Sequence, residues 1–198
     1  MNDDAPFLDI GRGKPLLLLR GEDSSEAIWR NVAPLLAEAM RLVVPNEPAT
    51  SGTQIEQTLR DAGVERFAIL AHGDAGPIAF ELSAGSDVEA LVLIGAARSE
   101  SAEAERRLTE REVPILLLWG EDDDLSTADD AERLSERLPT STLALVPGAG
   151  HDVLESAAVT VVPLLFEYLR ARYLGERHGH ADAGGPVPVA LTRRPDQT

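Results

Sequence analysis

The side chains best suited to acid–base chemistry follow predicted strands. His151 comes after the apolar run 141–146 and a glycine-rich turn, and four acidic residues, Glu121 to Asp124, come after the run 113–119. A carboxylate that accepts the Nδ1–H of an imidazole fixes its tautomer and raises the basicity of Nε2. Because the carboxyl ends of parallel strands meet in one crevice, we expect a carboxylate and His151 to form a general base there.

A third strand end carries a glycine where covalent chemistry would need a side chain. Residues 67–79 form an apolar run, a turn of small residues and a helix start, which is how a turn that exposes a nucleophile is built. Gly73 stands at the tip of this turn and has no side chain that could attack a substrate. Glycine also relieves backbone strain of about 1–3 kcal/mol at such a position. The frame of a nucleophile turn is therefore predicted without its nucleophile.

Hydrophobic patterning predicts the elements that place these residues. Short runs rich in Val, Leu and Ile alternate with amphipathic segments of helix length. This pattern is typical of an α/β fold with a mostly parallel sheet flanked by helices on both faces. The predicted strands are 7–10, 15–20, 41–45, 66–72, 88–94, 113–119 and 141–146. The predicted helices are 25–39, where Ser24 or Ser25 can cap the start, 53–62, 74–83, 102–111, 128–138 and 152–173.

Three of these segments resemble the α/β-hydrolase superfamily, and the resemblance runs from about Gly13 to Tyr173. Residues 71–75 match its small-x-nucleophile-x-small turn, 120–123 its Gly-x-x-Asp turn, and 148–151 the turn that carries its histidine. The chain order is also that of the superfamily. The resemblance implies that Asp123 is the acid, His151 the catalytic base, and Gly73 the occupant of the nucleophile position.

The resemblance also implies roles for residues beside that turn. The backbone N–H groups of Glu22 and Asp74 are candidates for an oxyanion hole, and Arg20 stands where the superfamily has the histidine of a His-Gly pair. Arg20 and His72 are candidates for substrate contact. The alternatives are a surface Arg20 paired with Glu22, Asp23 or Asp74, and a structural His72 behind the turn. Asp74 as a nucleophile is a further alternative, although Gly73 fills the position that this would require.

The interval between the fifth and sixth predicted strands is short. Relatives of this type usually carry a cap there, whereas only the charged stretch 95–112 separates the two strands in this chain. We therefore expect an α/β-hydrolase-like core without a cap domain, and a site that is shallow or covered by a partner subunit, as in a homo-oligomer. Residues 1–174 are predicted to form a single domain and 175–198 a flexible tail, in which His178 and His180 are incidental.

Composition excludes several classes of partner. The 198-residue chain has a net charge of −16, which argues against binding to nucleic acid or an anionic membrane. It contains no cysteine, and its acidic start is not followed by an apolar signal region, so we expect a cytoplasmic protein. No metal-ligand cluster or dinucleotide fingerprint is found in the sequence, and no cofactor or metal is predicted.

Two functions compete at this stage. The first is an atypical enzyme, such as a non-covalent hydrolase, lyase, epimerase or cyclase, that acts on a small organic molecule through the His151–Asp123 base. The second is a non-catalytic binding or partner protein. A conventional esterase would need Ser51, Ser83 or Ser86 as nucleophile, and none lies in a suitable turn. A dyad at the floor of a concave site would favour the enzyme, whereas a side chain plugging that site would favour the binding protein. If the site is otherwise complete, Gly73→Ser should acquire slow esterase activity.

Overall fold

A single eight-stranded sheet forms the centre of the molecule. The structure is a computed structural model that describes residues 6–96, 101–175 and 192–193. The strands follow the order β1-β3-β2-β4-β5-β6-β7-β8 across the sheet. Their bounds are β1 Phe7–Gly11, β2 Pro15–Arg20, β3 Arg41–Pro45, β4 Arg66–His72, β5 Asp87–Ile94, β6 Ile115–Gly120, β7 Ser141–Val146 and β8 Thr192–Arg193.

The inner strands run parallel and are buried on both faces. Strands β3, β2, β4, β5, β6 and β7 pair in parallel, while β1 pairs antiparallel with β3 and β8 antiparallel with β7. The buried strands are rich in Leu, Val and Ile because helices cover both sides of a parallel sheet. The parallel α/β architecture predicted from the sequence is confirmed.

Helices pack against both faces of this sheet. Their bounds are α1 Ala33–Ala37, α2 Gly52–Asp61, α3 Gly76–Gly85, α4 Ala102–Glu110, α5 Ala128–Arg137, α6 Val153–Ser156 and α7 Ala158–Leu169. One hydrophobic cluster joins α2, α3, α4 and α5 to one face of the sheet, and a second joins α1, α6 and α7 to the other. The apolar stripe of each amphipathic helix is thereby removed from contact with water. This burial is the main source of the stability of the helix in the fold.

Two predicted helices are interrupted. The segment 25–39 forms a 3₁₀ turn, Glu26–Trp29, and then the short helix α1, because Pro34 can occupy only the first turn of a helix. Ser25 caps the 3₁₀ turn by accepting the Ala27 N–H at 3.2 Å, which leaves the Ser24 hydroxyl available elsewhere. The segment 152–173 divides into α6, α7 and the terminal π-helical turn Arg170–Leu174.

A cap domain is absent from the described part of the interval between β5 and β6. Helix α4 is the one helix described there, and residues 97–100 lie outside the described residues. The core without a cap predicted from the sequence is confirmed. Of the predicted tail, residues 176–191 and 194–198 lie outside the described residues, while Thr192–Arg193 pairs with β7. Among the described residues, no helix has both the length and the apolar character needed to cross a bilayer.

The end of β6 packs so closely against the loop before His151 that Gly120 has no room for a side chain. A Cβ at Gly120 would overlap the backbone carbonyl oxygens of Ala149 and Gly150. We predict that Gly120→Ala lowers the free energy of unfolding by about 1–3 kcal/mol, the usual cost of overpacking, in urea titration. Gly85→Ala is the matched control, because a Cβ there meets open space. Equal stability of the two variants would contradict this packing.

Candidate active site

Four strand ends bring the functional residues to one edge of the sheet. Asp23 follows β2, Gly73 follows β4, Asp123 follows β6 and His151 follows β7. Strands β2 and β4 are neighbours, as are β6 and β7, with β5 between the two pairs. All these strands are parallel, so their carboxyl ends open on the same crevice.

Asp123 and His151 form a hydrogen-bonded pair. Asp123 Oδ2 lies 2.9 Å from His151 Nδ1, and Oδ1 accepts the backbone N–H groups of Leu125 and Ser126 at 2.9 Å each. The Asp123 side chain has no exposed surface, whereas 11% of the His151 side chain is exposed. A buried carboxylate held in this way fixes the imidazole so that Nε2 faces the crevice. The structure thus brings together the acid and base that the sequence pattern indicated.

Asp23 occupies the space that a nucleophile would fill. A Cβ added to Gly73 would overlap the Asp23 carboxylate. The backbone N–H of Asp74, a candidate oxyanion donor, donates instead to Asp23, at 3.1 Å from Oδ2 and 3.3 Å from Oδ1. The Ser24 hydroxyl lies 3.1 Å from Asp23 Oδ1. The chain therefore places its own carboxylate over the nucleophile turn and on the backbone donor.

The same carboxylate faces the Nε2 edge of His151. Asp23 Oδ2 lies 3.3 Å from His151 Nε2, so the imidazole stands between two carboxylates. The pKa of His151 is raised. Burial by itself would lower this pKa, but the hydrogen bond and charge of Asp123, followed by the charge of Asp23, outweigh the effect of burial. The protonated imidazole can donate to both acids at once.

His72 is a structural residue of this site. Its ring is fully buried, with Nδ1 at 2.6 Å from Ser24 Oγ and Nε2 at 3.3 Å from the backbone oxygen of His151. The pKa of His72 is lowered, first by burial and then by the nearby charge of His151, which favours the neutral ring. His72 is not among the residues that line the crevice, and its contacts are those expected of a structural residue behind the turn. Its role in substrate contact stays a prediction.

Arg20 points away from the crevice and supports the loop that carries Asp23. It is 9% exposed, and its guanidinium donates to the backbone oxygens of Ser24 at 3.5 Å and Asn46 at 3.1 Å. Arg20 is therefore neither a surface side chain nor one that lines the crevice. Glu22 is exposed on the same loop, and its role as an oxyanion donor stays a prediction.

The crevice is a small open depression of about 250 Å³. Asp23, Gly73 and Asp74 line one side of it, and His151 and Leu125 line the other. Leu125 is 70% exposed, so it forms a free apolar rim. This volume is slightly below the roughly 300–1,000 Å³ of most ligand pockets.

Three side chains lie close enough to share a cation. Asp23, His72 and His151 each offer a ligand atom, and the three atoms lie within 4.8 Å of one another. Both nitrogens of His72 already have oxygen partners, one of them the Ser24 hydroxyl. A cation bound to either nitrogen of His72 would have to compete with one of these oxygens. No metal was predicted from the sequence, and the Nε2 of His151 is the atom for which a cation and a proton would compete.

Sequence reasoning missed the part that Asp23 plays. It considered Asp23 as an ion-pair partner of Arg20, not as a group at the nucleophile position. The sequence did contain a signal for this role, because the loops after two adjacent parallel strands meet at one edge of the sheet. A glycine at one of those strand ends leaves a space, and a short acid on the neighbouring loop is able to fill it.

The comparison with solved structures identifies this architecture as the α/β-hydrolase fold. An α/β-hydrolase enzyme from the metagenome of lagoon sediments at Mar Chica, Morocco, is 19% identical with a TM-score of 0.72, over 84% of this chain and 94% of that chain. A meta-cleavage product hydrolase from Pseudomonas fluorescens is 14% identical with a TM-score of 0.70, over 83% and 93%. A thermophilic esterase from Thermogutta terrifontis is 18% identical with a TM-score of 0.70, over 84% and 93%. The chain has the fold of these enzymes.

Sequence comparison gives a shorter match. A soluble epoxide hydrolase from a Corynebacterium species is 27% identical over an alignment 88 residues long, and the match covers 37% of this chain and 31% of that protein. The match thus spans about a third of the length of this curated relative. No protein-family model matches the chain.

The overlap between Gly73 and Asp23 changes the expectation for substitutions at the turn. Gly73 has a φ of 57°, so any side chain there is strained by about 1–3 kcal/mol. A Cβ would also push Asp23 away. We predict that Gly73→Ala and Asp23→Ala are not additive in a double-mutant cycle of unfolding free energies, with a favourable coupling of about 0.5–3 kcal/mol. Strict additivity would show that the two residues do not compete for space.

For the same reason, Gly73→Ser alone is not expected to give an esterase. The new hydroxyl would meet the Asp23 carboxylate, and the Asp74 N–H would stay engaged. Only the double variant Gly73→Ser with Asp23→Gly frees both the space and the donor. The activity of the double variant on activated esters is compared with that of Gly73→Ser alone. The comparison tests whether Asp23 is what prevents esterase activity in the single variant.

The raised pKa of His151 links protonation to stability. A pKa raised by folding contributes stability that is fully present below the unfolded value of about 6.5 and is lost as the pH rises through the folded value. We therefore predict that the free energy of unfolding falls as the pH rises across that window. Asp23→Asn should flatten this dependence, because it removes one of the charges that raise the pKa. An unchanged profile would contradict the ion pair. Urea titration at a series of pH values measures the free energy of unfolding as a function of pH.

Proposed function

We propose that this protein is an α/β-hydrolase-fold enzyme that acts on a small organic molecule through the His151–Asp123 base, without a protein nucleophile. The observation that carries the proposal is the 2.9 Å contact between His151 Nδ1 and the fully buried Asp123 carboxylate. A buried acid that orients an imidazole towards an open crevice is the arrangement that a positioned general base requires. Its working compartment is proposed to be the cytoplasm.

Nε2 of His151 would remove a proton from the substrate or from a water molecule. Asp123 would hold the ring in position and stabilise the imidazolium that results. Attack by the nucleophile turn is excluded, because Gly73 has no side chain. The reaction must therefore proceed by proton transfer, or by direct attack of an activated water, with no covalent intermediate at that turn. The fold is shared with hydrolases and an esterase, and this supports chemistry on small molecules, not a particular substrate.

A second candidate is a non-catalytic binding protein, and one observation favours it. Asp23 fills the nucleophile space and takes the backbone donor of Asp74, so the site is partly plugged. A side chain that plugs the site is the outcome that was expected of the binding protein. Asp23 is, however, an acid–base group, with 20% of its side chain exposed and its oxygen 3.3 Å from Nε2. We favour the enzyme because a carboxylate at this position can take up or release a proton, which an apolar side chain cannot do.

The test compares variants of the dyad with matched neighbours. Wild-type protein, His151→Gln and Asp123→Asn are assayed on activated esters, on thioesters and on a benzisoxazole that opens when a base removes its C–H proton. Asp122→Asn is the control for Asp123→Asn, since Asp122 is the adjacent acid and is exposed. Loss of a positioned base should lower turnover on the order of 10²–10⁴-fold.

The comparison separates the two candidates. Turnover that falls in both dyad variants and persists in Asp122→Asn supports the enzyme. Turnover on every substrate that is equal in wild type and His151→Gln rejects base catalysis by His151 and leaves the binding protein. Circular dichroism of each variant checks that the fold is retained.

A further inference from the structure

We infer that Asp23 is a second catalytic acid–base group, and that it works with His151 to carry out an elimination on a small carbon acid. The inference rests on the proposed function, since it requires His151 to exchange protons with a substrate. It refines that function by giving the removal of the substrate proton to Asp23 and the delivery of a proton, followed by recovery of the Asp23 proton, to His151. It goes beyond that function by assigning a role to Asp23 and by choosing one class of reaction.

The first support is the contact between two atoms that both accept hydrogen bonds. When Nδ1–H of His151 donates to Asp123, the neutral ring presents an Nε2 lone pair to the Asp23 oxygen, which lies 3.3 Å away. Two lone pairs at that distance repel each other. One proton between Nε2 and Oδ2 converts the repulsion into a charge-assisted hydrogen bond. The resting site is therefore expected to hold one mobile proton, shared by an acid and a base.

The second support is the way in which Asp23 is held. Its carboxylate receives the Asp74 N–H and lies within hydrogen-bond distance of the Ser24 hydroxyl, while Arg20 holds the loop from behind. Asp23 nevertheless lines the crevice and keeps 20% of its side-chain surface exposed. A positioned carboxylate in contact with the site can take a proton from a bound molecule.

The third support concerns the reaction class. Ester hydrolysis develops negative charge on a tetrahedral oxygen, which enzymes of this kind stabilise with backbone N–H donors. In this chain the donor at Asp74 is engaged by Asp23. The site thus disfavours a tetrahedral oxyanion and presents a base beside an acid. This arrangement suits the removal of a proton from one atom and the delivery of a proton to another.

The step balances as follows. Asp23 takes the proton from a carbon next to an electron-withdrawing group, and the C–H electron pair forms a new π bond. The bond to an oxygen leaving group on the neighbouring atom breaks, and that oxygen takes its electron pair together with the Nε2 proton of His151. The proton on Asp23 then passes to Nε2, which restores the starting state. The net change is the formation of an unsaturated group and the release of an oxygen as an alcohol or water; the two stay in one molecule when the bond that breaks belongs to a ring.

The titratable groups around His151 define the charge state of this pair. Asp123 and Asp23 face the ring from opposite sides, His72 packs against it with ring centroids 4.9 Å apart, and Asp152 follows it in the chain. His72 is buried and its pKa is lowered, so it adds no positive charge near neutral pH. The two acids are the groups that hold a proton on His151, and removing Asp23 must weaken that hold.

The test measures both turnover and the protonation of His151. A nitrobenzisoxazole serves as substrate because its opening is an elimination: the base removes the ring C–H proton, a nitrile forms and the N–O bond breaks. Asp23→Asn keeps the size of the side chain and loses its basicity. Asp124→Asn is the matched control, since it removes one exposed negative charge from another loop. NMR titration of the imidazole of His151 is recorded for all three proteins after treatment with a metal chelator.

We expect Asp23→Asn to lower kcat on the order of 10²-fold, the contribution of one general base or acid, and to lower the pKa of His151, with neither change in Asp124→Asn. Wild-type kcat and an unmoved pKa in Asp23→Asn would overturn the inference. So would a covalent adduct on Asp23 seen by mass spectrometry, which would make it a nucleophile. Activity that the chelator removes and Zn²⁺ restores would also overturn it, because a cation would then replace the proton.

Failure of the inference can be told apart from failure of the proposed function. If His151→Gln abolishes turnover while Asp23→Asn does not, His151 is the base and Asp23 is only a neighbour. If His151→Gln leaves turnover unchanged, the proposed function itself fails, and with it the role assigned to Asp23.

Discussion

The buried charge of Asp123 is the constraint on which the site depends. A carboxylate with no exposed surface is costly unless its oxygens are hydrogen-bonded. Two backbone N–H groups satisfy one oxygen and the His151 ring satisfies the other. Meeting this requirement fixes the loop after β6, and it also fixes the orientation of the imidazole that follows β7. The acid therefore organises two loops before any substrate is bound.

That constraint explains why the pair of Asp123 and His151 can form without a nucleophile at residue 73. Asp123 and His151 need each other for stability, so their geometry does not depend on whether a hydroxyl stands at the turn after β4. Gly73 left an unfilled volume beside an imidazole and a backbone N–H, both of which attract a negative charge. Asp23 supplies that charge from the neighbouring strand end. With Asp23 in place, both the imidazole and the backbone N–H have a partner within the protein.

Sequence patterns predicted the elements and the dyad for a physical reason. Strands buried on both faces give continuous apolar runs, and glycine turns mark where they end, so the positions of Gly73, Asp123 and His151 relative to the sheet could be derived. The resemblance to a known superfamily then selected Asp123 from four consecutive acids. The role of Asp23 could not be derived in this way, because it depends on the path of a loop and on the absence of a side chain elsewhere. The break before Pro34 was missed in the predicted helix 25–39, although proline at that position was a signal for it. The direction of the Arg20 side chain depends on the packing around it, which the sequence pattern does not give.

The overlap between the turn at Gly73 and the carboxylate of Asp23 also has a consequence for evolution. A protein with this arrangement does not become a serine enzyme by one change, since a hydroxyl introduced at the turn meets an occupied space. A change at Asp23 alone removes a partner of His151 and offers no new nucleophile in exchange. Each of the two changes by itself disrupts the site, and only both together give a nucleophile with space around it. The present arrangement is therefore difficult to reverse. Gly73 and Asp23 are then best regarded as a pair that is inherited together.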